Sequence, residues 1–177
     1  MRAPCLPQGG VIGICSPSHV AERGRYARIE AGIRALGFQV REGANLYRDT
    51  YGYLATPEER AADFHQLLYD EDVRLIFFGG GEGGNELLPL LDFDAIRRHP
   101  KRMASFSDGT TLLCAIWAKT GLETYYGPSP SCFEALTDYD RGQFLHHLVL
   151  DDAACHRAAG PWHTLVPGQA EGILVGG

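Results

Sequence analysis

The sequence predicts an α/β protein built around a mainly parallel sheet of about five strands. Two observations support this fold class. Short apolar runs alternate with segments of helical apolar spacing from about residue 10 to residue 150, and this alternation is typical of a layered fold with right-handed crossovers. A buried, glycine-terminated run also leads directly into a helical segment near residue 80. With 177 residues and 45% hydrophobic content, the chain can bury one good core.

The first half of the chain is predicted to contain three strands and two helices. Gly37 ends the first helix as a C-terminal cap. Thr56 begins the second, because a threonine cap is followed by proline at the first helical position and by Glu59 three residues after the cap. The predicted elements are, in order, a strand at 10–15, a helix at 21–36, a strand at 38–41, a helix from 56 to about 70 and a strand at 73–78.

The second half of the chain continues the alternation. Its predicted elements are a short helix at 87–91, a helical turn at 92–98, a strand at 102–106, a helix at 112–119, a strand at 122–126 and an amphipathic helix at about 139–150. Residues 160–177 differ, because they are rich in glycine and proline and contain one apolar run at 172–175. We expect this run to be a strand whose partner lies in a further domain or a second copy.

A glycine-rich stretch at 79–84, with five glycines in six positions, follows the third strand. A strand, a tight glycine turn and a helix place backbone N–H groups at the carboxyl edge of a sheet, where such folds bind anions or hold a nucleophile. The amides of Gly81 and Asn85 are therefore candidates for an oxyanion hole. No serine, cysteine or threonine lies between Gly79 and Leu91, however. The alternative is that the glycines only permit a tight turn with positive φ.

Polar residues follow two other predicted strands at the same edge of the sheet. Ser107 and Asp108 come at the end of the fourth strand, where Asp108 could orient a ligand amine or a water, or could cap the next helix. Ser16 and Ser18 follow the first strand, although an ordinary loop also accommodates serine. Glu82 lies inside the glycine turn, either facing a ligand or simply solvated. We name these five residues as candidate substrate-binding residues.

The composition excludes several classes of protein. The net charge of −6 and the pI near 5.6 argue against nucleic-acid binding, and no apolar run approaches the roughly 20 residues that cross a membrane. Five scattered cysteines without a CxxC pair, together with an N-terminus too short and proline-rich for a signal peptide, favour reduced thiols in the cytoplasm. We expect no metal and no cofactor.

Five motifs of the chain resemble the LD-carboxypeptidases of peptidase family S66, especially the branch related to the microcin C immunity peptidase. They occur in the family's order over nearly the whole chain. The motifs are Gly-Ile-Cys-Ser-Pro-Ser at 13–18, the glycines at 80–81 leading to Asn-Glu-Leu-Leu-Pro-Leu-Leu-Asp at 85–92, Phe-Ser-Asp-Gly-Thr-Thr at 106–111, residues 118–130 and the closing segment 171–177.

The resemblance implies a flavodoxin-like three-layer sandwich and a serine peptidase that uses a Ser–His–Glu triad. It also implies a substrate that is a muropeptide or short peptidyl conjugate with a free carboxylate. The family's serine precedes the Asn-Glu-Leu-Leu-Pro segment, which puts Gly84 at the nucleophile position. Glu and His lie in a second domain, so residues 1–160 are expected to be the N-terminal domain and 161–177 a linker and the first strand of an absent C-terminal domain.

This chain is therefore expected to be inactive by itself, with the missing C-terminal domain or a second copy in a homodimer as its partner. Two alternatives are a non-catalytic domain that binds peptides or muropeptides, and a truncated fragment that dimerises.

Overall fold

The computed structural model describes residues 1–19, 21–127, 129–150 and 158–176. Outside these ranges lie Pro128 of the motif at 118–130, Cys155, which is one of the five cysteines, and Gly177, which ends the closing segment. It contains a five-stranded parallel sheet in the order β2-β1-β3-β4-β5, which confirms the predicted fold class. This is the strand order of flavodoxin-like doubly wound sheets. The strands are β1 (Val11–Cys15), β2 (Gln39–Glu42), β3 (Val73–Phe78), β4 (Arg102–Ser105) and β5 (Tyr125–Tyr126).

Five α-helices connect and follow these strands, and each lies within a few residues of its predicted position. None of the helices described is long and apolar enough to span a bilayer. The segment after the glycines, Gly84–Leu90, is a 3-10 helix that contains Pro89, and Leu145–Val149 is a π-helical turn. The helices are α1 (Arg23–Ala35), α2 (Pro57–Tyr69), α3 (Phe93–Arg98), α4 (Thr110–Thr120) and α5 (Asp138–Phe144).

The predicted start of α2 is confirmed by a complete capping box. Thr56 Oγ1 accepts the Glu59 N–H at 3.2 Å, and the Glu59 carboxylate accepts the Thr56 N–H at 2.9 Å. Pro57 occupies the first helical position. Proline lacks a backbone N–H, and this costs nothing there because an N–H at that position has no acceptor within the helix. This start sets the register of α2 and places the next residue, Arg60, over the edge of the sheet.

Two apolar cores lie on opposite faces of the sheet and make the fold a three-layer sandwich. Helices α2, α3 and α4 cover one face, with Phe64, Leu67 and Ile116 among the buried contacts. Helices α1 and α5 cover the other face. There Phe77 of β3 packs on Phe133 at a ring-centroid distance of 5.6 Å.

The amino edge of the sheet is closed by a completely buried arginine, Arg102, at the start of β4. Its Nε donates to the Pro4 carbonyl at 3.2 Å, and its Nη1 donates to the His147 carbonyl. Nearby, the Leu6 N–H donates to the Leu148 carbonyl at 2.9 Å. The first residues of the chain and the turn after α5 are thereby joined to the central sheet.

The described tail, residues 158–176, contains no helix or strand. Ile173, Leu174 and Val175 are 74%, 98% and 65% exposed, so the strand expected at 172–175 is not formed here. Leu174 and Val175 line a cavity of about 760 Å³ together with Tyr125 and Tyr126. The domain boundary near residue 160 stays a prediction.

Gly32 and Gly142 offer a matched test of how closely α1 packs against the segment that contains Phe133. A β-carbon at Gly32 of α1 would lie 2.0 Å from the Phe133 carbonyl oxygen, whereas one at Gly142 of α5 has nothing within 4 Å. We expect Gly32→Ala to lower the free energy of unfolding by about 1–3 kcal/mol, because the backbones must separate. Gly142→Ala should raise it by up to about 1 kcal/mol through helix propensity. Urea denaturation measures both, and a stabilising Gly32→Ala would contradict the packing.

Candidate active site

Three loops meet at the carboxyl edge of the sheet and are joined by one carboxylate. Asp108, after β4, accepts at Oδ2 the hydroxyl of Ser18 and the N–H of Gly84, each at 2.7 Å. Ser18 follows β1 and is completely buried, and Gly84 ends the glycine-rich turn after β3. Asp108 makes no capping bond to α4. Asp108 therefore joins the loops in place of capping the helix, and its role towards a ligand stays a prediction.

The glycine-rich turn lies so close to the other two loops that side chains would not fit. A β-carbon at Gly80 would lie 2.6 Å from Cβ and 3.2 Å from Oγ of Ser107, and one at Gly81 would lie 2.1 Å from the Ser18 carbonyl oxygen. The Glu82 N–H donates to that same carbonyl at 2.9 Å. The turn thus places the Gly80 backbone directly against Ser107 and the Gly81 backbone against Ser18.

Ser107 occupies a strained turn between β4 and α4. Its φ is +55°, and of the residues that the structure describes it is the one non-glycine residue with positive φ. Its side chain is exposed at the edge of the sheet. A β-carbon at Gly109 would lie 1.9 Å from Ser105 Oγ, so the turn also requires glycine two residues later. A strained strand-to-helix turn with an exposed serine and this Ser-x-Gly spacing is the geometry of a nucleophile elbow.

Position 84, predicted from the resemblance as the nucleophile position, has a different environment. Gly84 is buried, and a β-carbon there would lie 2.7 Å from Asp108 Oδ2 and 3.1 Å from Leu112 Cδ1. A serine at this position would therefore displace the carboxylate that holds the loops. The assignment of position 84 as the family's nucleophile position stays a prediction.

The other predicted site residues surround this centre. Ser16 donates its hydroxyl to the His19 carbonyl and shapes the loop after β1. Glu82 and Asn85 are exposed at the rim. Asn85 lies in the short 3-10 helix and Gly81 in the turn before it, and their role as oxyanion donors stays a prediction.

The sequence analysis missed Arg60, which is 97% buried beside the site (3% exposed). Its Nε donates to the Ala55 carbonyl at 3.0 Å. Its Nη1 donates to the carbonyls of Pro17 and Gly83, the latter at 3.0 Å. Its Nη2 pairs with the carboxylate of Glu86. No motif signals such a residue, because three of its four acceptors are backbone carbonyls.

His19 lies on the other side of the glycine-rich turn. A β-carbon at Gly79 would lie 2.6 Å from its Cε1, and its Nε2 is 2.9 Å from the Tyr26 hydroxyl. Burial lowers the pKa of His19 below its ordinary value. The Gly80 backbone acts in the opposite direction with a smaller effect, and the positive charge of Arg25 adds a still smaller lowering. Burial next to the site therefore favours the neutral form of His19.

The sequence of this chain matches a known protein family. The family model of the LD-carboxypeptidase N-terminal domain, Peptidase S66, matches residues 12–127, which include all three loops of the site. The chain belongs to the S66 family. The resemblance noted in the sequence is thus confirmed.

Individual relatives are longer than this chain. It is 33% identical to the "Probable murein peptide carboxypeptidase" of Bacillus subtilis, over 99% of this chain and 56% of that protein. It is 38% identical to the microcin C7 self-immunity protein MccF of Escherichia coli, over 73% of this chain and 38% of that protein. The chain thus spans from about two fifths to just over half of the length of these relatives.

Solved structures of MccF share the fold. MccF in complex with aspartyl sulfamoyl adenosine superposes with a TM-score of 0.80 at 35% identity, covering 84% of this chain and 47% of that one. A second MccF structure is that of an active-site mutant in which a serine, an asparagine and a lysine are replaced by alanine. It superposes with a TM-score of 0.78 at 34% identity, covering 84% of this chain and 47% of that one.

His19 should make the protein less stable in mild acid. Because its pKa in the folded state lies below the value of about 6.5 in the unfolded chain, the unfolded state takes up the extra proton first as the pH falls. This contribution to stability is present above about pH 6.5 and is lost below it. We expect the fall in the free energy of unfolding between pH 7.5 and 5.5 to be smaller in His19→Gln.

The control for this measurement is His163→Gln, in the exposed tail, which should leave the pH dependence unchanged. The reading of His19 is wrong if His19→Gln and the wild type lose equal stability in urea titrations at the two pH values.

Proposed function

We propose that this chain supplies the nucleophile and the oxyanion-binding loop of a serine-type LD-carboxypeptidase, with Ser107, in place of position 84, as the nucleophile. The observation that carries the proposal is the strained, exposed turn at Ser107, with φ of +55°. Strain of this kind costs of order 1–3 kcal/mol and persists where a function selects it. The active-site serine named for MccF supports a serine-type reaction in this family.

In the proposed reaction Ser107 Oγ attacks the carbonyl carbon of a peptide bond, and the carbonyl oxygen becomes an oxyanion. The backbone N–H that follows a nucleophile at an elbow, here that of Asp108, is one natural donor to that oxygen. The bare backbone at Gly80 and Gly81 is the second, since Gly80 lies against Ser107. Donors fixed before the reaction stabilise the developing charge most effectively, and each is worth about 3 kcal/mol.

A serine hydroxyl also needs a general base to remove its proton. Among the residues that the structure describes, Ser107 Oγ has no hydrogen bond to a histidine or a carboxylate. We therefore propose that Glu and His are supplied by a C-terminal domain, as the greater length of the relatives supports. This 177-residue chain should then bind substrate but show no turnover by itself.

The proposed substrate is a muropeptide or short peptidyl conjugate with a free terminal carboxylate. The name of the Bacillus subtilis relative refers to murein peptides, and MccF is seen with aspartyl and glutamyl sulfamoyl nucleosides. The described cysteines are unpaired, which supports the proposed location in the cytoplasm.

Replacing Ser107 tests the nucleophile. In the full-length polypeptide, or in this chain joined to the C-terminal half of the Bacillus subtilis relative, release of the terminal D-amino acid from a tetrapeptide muropeptide is measured by chromatography. Ser107→Ala should lower kcat by about 10³-fold or more. Ser131→Ala, outside the site, serves as the control. Normal turnover by Ser107→Ala would refute the assignment, and binding without turnover by the unmodified protein would favour a non-catalytic peptide-binding domain.

Ser107→Gly separates strain from chemistry. Glycine adopts positive φ without steric cost, so Ser107→Gly should be more stable than Ser107→Ala by about 1 kcal/mol while being equally inactive. Thermal or urea unfolding of the two variants provides the comparison. Equal stability of the two would argue that Ser107 is not strained.

Position 84 is tested by adding a serine, whereas the preceding tests remove one. Gly84→Ser should lower the free energy of unfolding by about 1–3 kcal/mol, because its side chain meets Asp108 and Leu112. It should also lower turnover by disturbing the loops. A gain of activity in Gly84→Ser that survives Ser107→Ala would restore the earlier assignment of the nucleophile to position 84.

A further inference from the structure

We infer that the turn at residues 50–54, between β2 and α2, is a contact site for the sugar ring of a muropeptide. Its sequence is Thr-Tyr-Gly-Tyr-Leu, and we call it the tyrosine turn. The inference rests on the proposed function only in taking a muropeptide as the ligand. It does not depend on which residue is the nucleophile.

The two aromatic side chains of the tyrosine turn are directed to solvent. Tyr51 is 73% exposed and Tyr53 is 53% exposed. Gly52, between them, has a φ of +76°, and a β-carbon there would have nothing within 4 Å. The N–H groups of Thr50 and Tyr51 both donate to the Leu54 carbonyl, at 3.1 and 3.2 Å. Single exposed aromatic residues are common on protein surfaces, but here two lie in one closed turn.

Helix α2 holds the loop on both sides of the tyrosine turn. The Glu59 carboxylate accepts the Thr50 hydroxyl at 2.7 Å and the Thr56 N–H at 2.9 Å. The buried Asp63 carboxylate accepts the N–H and the side-chain amide of Asn45, at 3.0 and 2.9 Å. Ordering a loop costs conformational entropy, and these bonds offset that cost at the base of the loop. The tyrosine rings are therefore positioned without being buried, as binding residues on a rigid scaffold are.

The tyrosine turn lies beside the glycine-rich turn of the candidate active site. Leu54 is buried, and a β-carbon at Gly83 would lie 3.4 Å from its Cδ1. The Arg60 guanidinium joins the same two segments, because it donates to the carbonyls of Ala55 and Gly83, each at 3.0 Å. A ligand that extends beyond the site on this side therefore meets the two exposed tyrosines.

The chemistry of the turn favours a sugar ring. None of its five residues is charged, so the turn does not select an ionic group. A pyranose ring has apolar C–H faces that pack on an aromatic ring, and hydroxyl groups that bond to a phenolic hydroxyl. Tyrosine provides this amphipathic contact area with little side-chain entropy to lose. A muropeptide joins such a sugar, N-acetylmuramic acid, to its peptide, so the tyrosine turn and the site would bind two parts of one ligand.

Two ligands that differ only in the sugar test the contact. The 177-residue chain, which should bind without turnover, is titrated calorimetrically with N-acetylmuramoyl-tetrapeptide and with the free tetrapeptide. We expect the sugar-bearing ligand to bind about tenfold more tightly. Tyr51→Ala and Tyr53→Ala should each reduce this preference by about threefold, while the Kd of the free tetrapeptide stays unchanged.

Tyr69→Ala is the matched control. Tyr69 is 48% exposed, but it ends α2 four residues before β3 begins, so it lies at the opposite edge of the sheet. This variant should bind both ligands as the wild type does. Tyr51→Phe and Tyr53→Phe should keep most of the preference, since the aromatic ring remains.

Equal Kd values of the two ligands in the wild type would overturn the inference. A preference that survives the combined variant Tyr51→Ala/Tyr53→Ala would also overturn it. So would a weaker Kd for both ligands in the alanine variants, because the turn would then belong to the peptide site.

Failure of the proposed function has a different result, in which the wild type binds neither ligand. NMR titration with N-acetylmuramic acid alone then decides the inference, with adenosine at the same concentration as the rival ligand. Amide shift changes confined to residues 50–54 with the sugar support the contact. No change with the sugar, or larger changes with adenosine, would overturn it.

Discussion

The site depends on a single carboxylate oxygen, Oδ2 of Asp108, which accepts hydrogen bonds from Ser18 and Gly84. These three residues belong to loops that follow β1, β3 and β4, which are neighbours in the sheet. A parallel sheet brings such loops to one edge, but it does not determine how the loops are positioned relative to one another there. The Asp108 carboxylate supplies that missing constraint. It also lies one residue after Ser107, so the residue that orders the loops is adjacent to the exposed hydroxyl.

The glycines of the turn after β3 are explained one by one by their neighbours. Gly79 faces the His19 ring, Gly80 faces Ser107, and Gly81 faces the Ser18 carbonyl. A side chain at any of these positions would separate two loops by several tenths of an ångström or more. The composition of this turn thus reflects close approach of the backbone to other parts of the protein, in addition to the positive φ of Gly83.

Much of the fold could be predicted from local patterns. The alternation of strands and helices predicted the five-stranded parallel sheet, and Thr56 and Glu59 predicted a capping box that the structure contains. These features are encoded within a few residues. The strand expected at 172–175 is not formed, because a strand needs a partner as well as a suitable sequence.

The site was harder to predict because its contacts join distant residues. Ser18 and Asp108 are 90 positions apart, and Arg60 and Pro17 are 43 apart. The glycine-rich turn drew attention as an elbow, whereas the serine with positive φ lies in the turn after the next strand, in the segment Ser105-Phe106-Ser107-Asp108-Gly109. The Ser-x-Gly spacing there was the available signal. Asp108 could be named as a candidate, but its bonds to two other loops became visible only in the structure.

The closed amino edge of the sheet has a consequence for synthesis on the ribosome. Arg102 is completely buried and binds the carbonyls of Pro4 and His147, so one of its acceptors is translated 45 residues after it. A buried guanidinium without its full set of acceptors is costly. The sheet can begin to assemble once β4 has left the exit tunnel, but the edge cannot close until the turn after α5 has followed. A pause in translation within that interval would leave a nascent chain with one open end, accessible to chaperones.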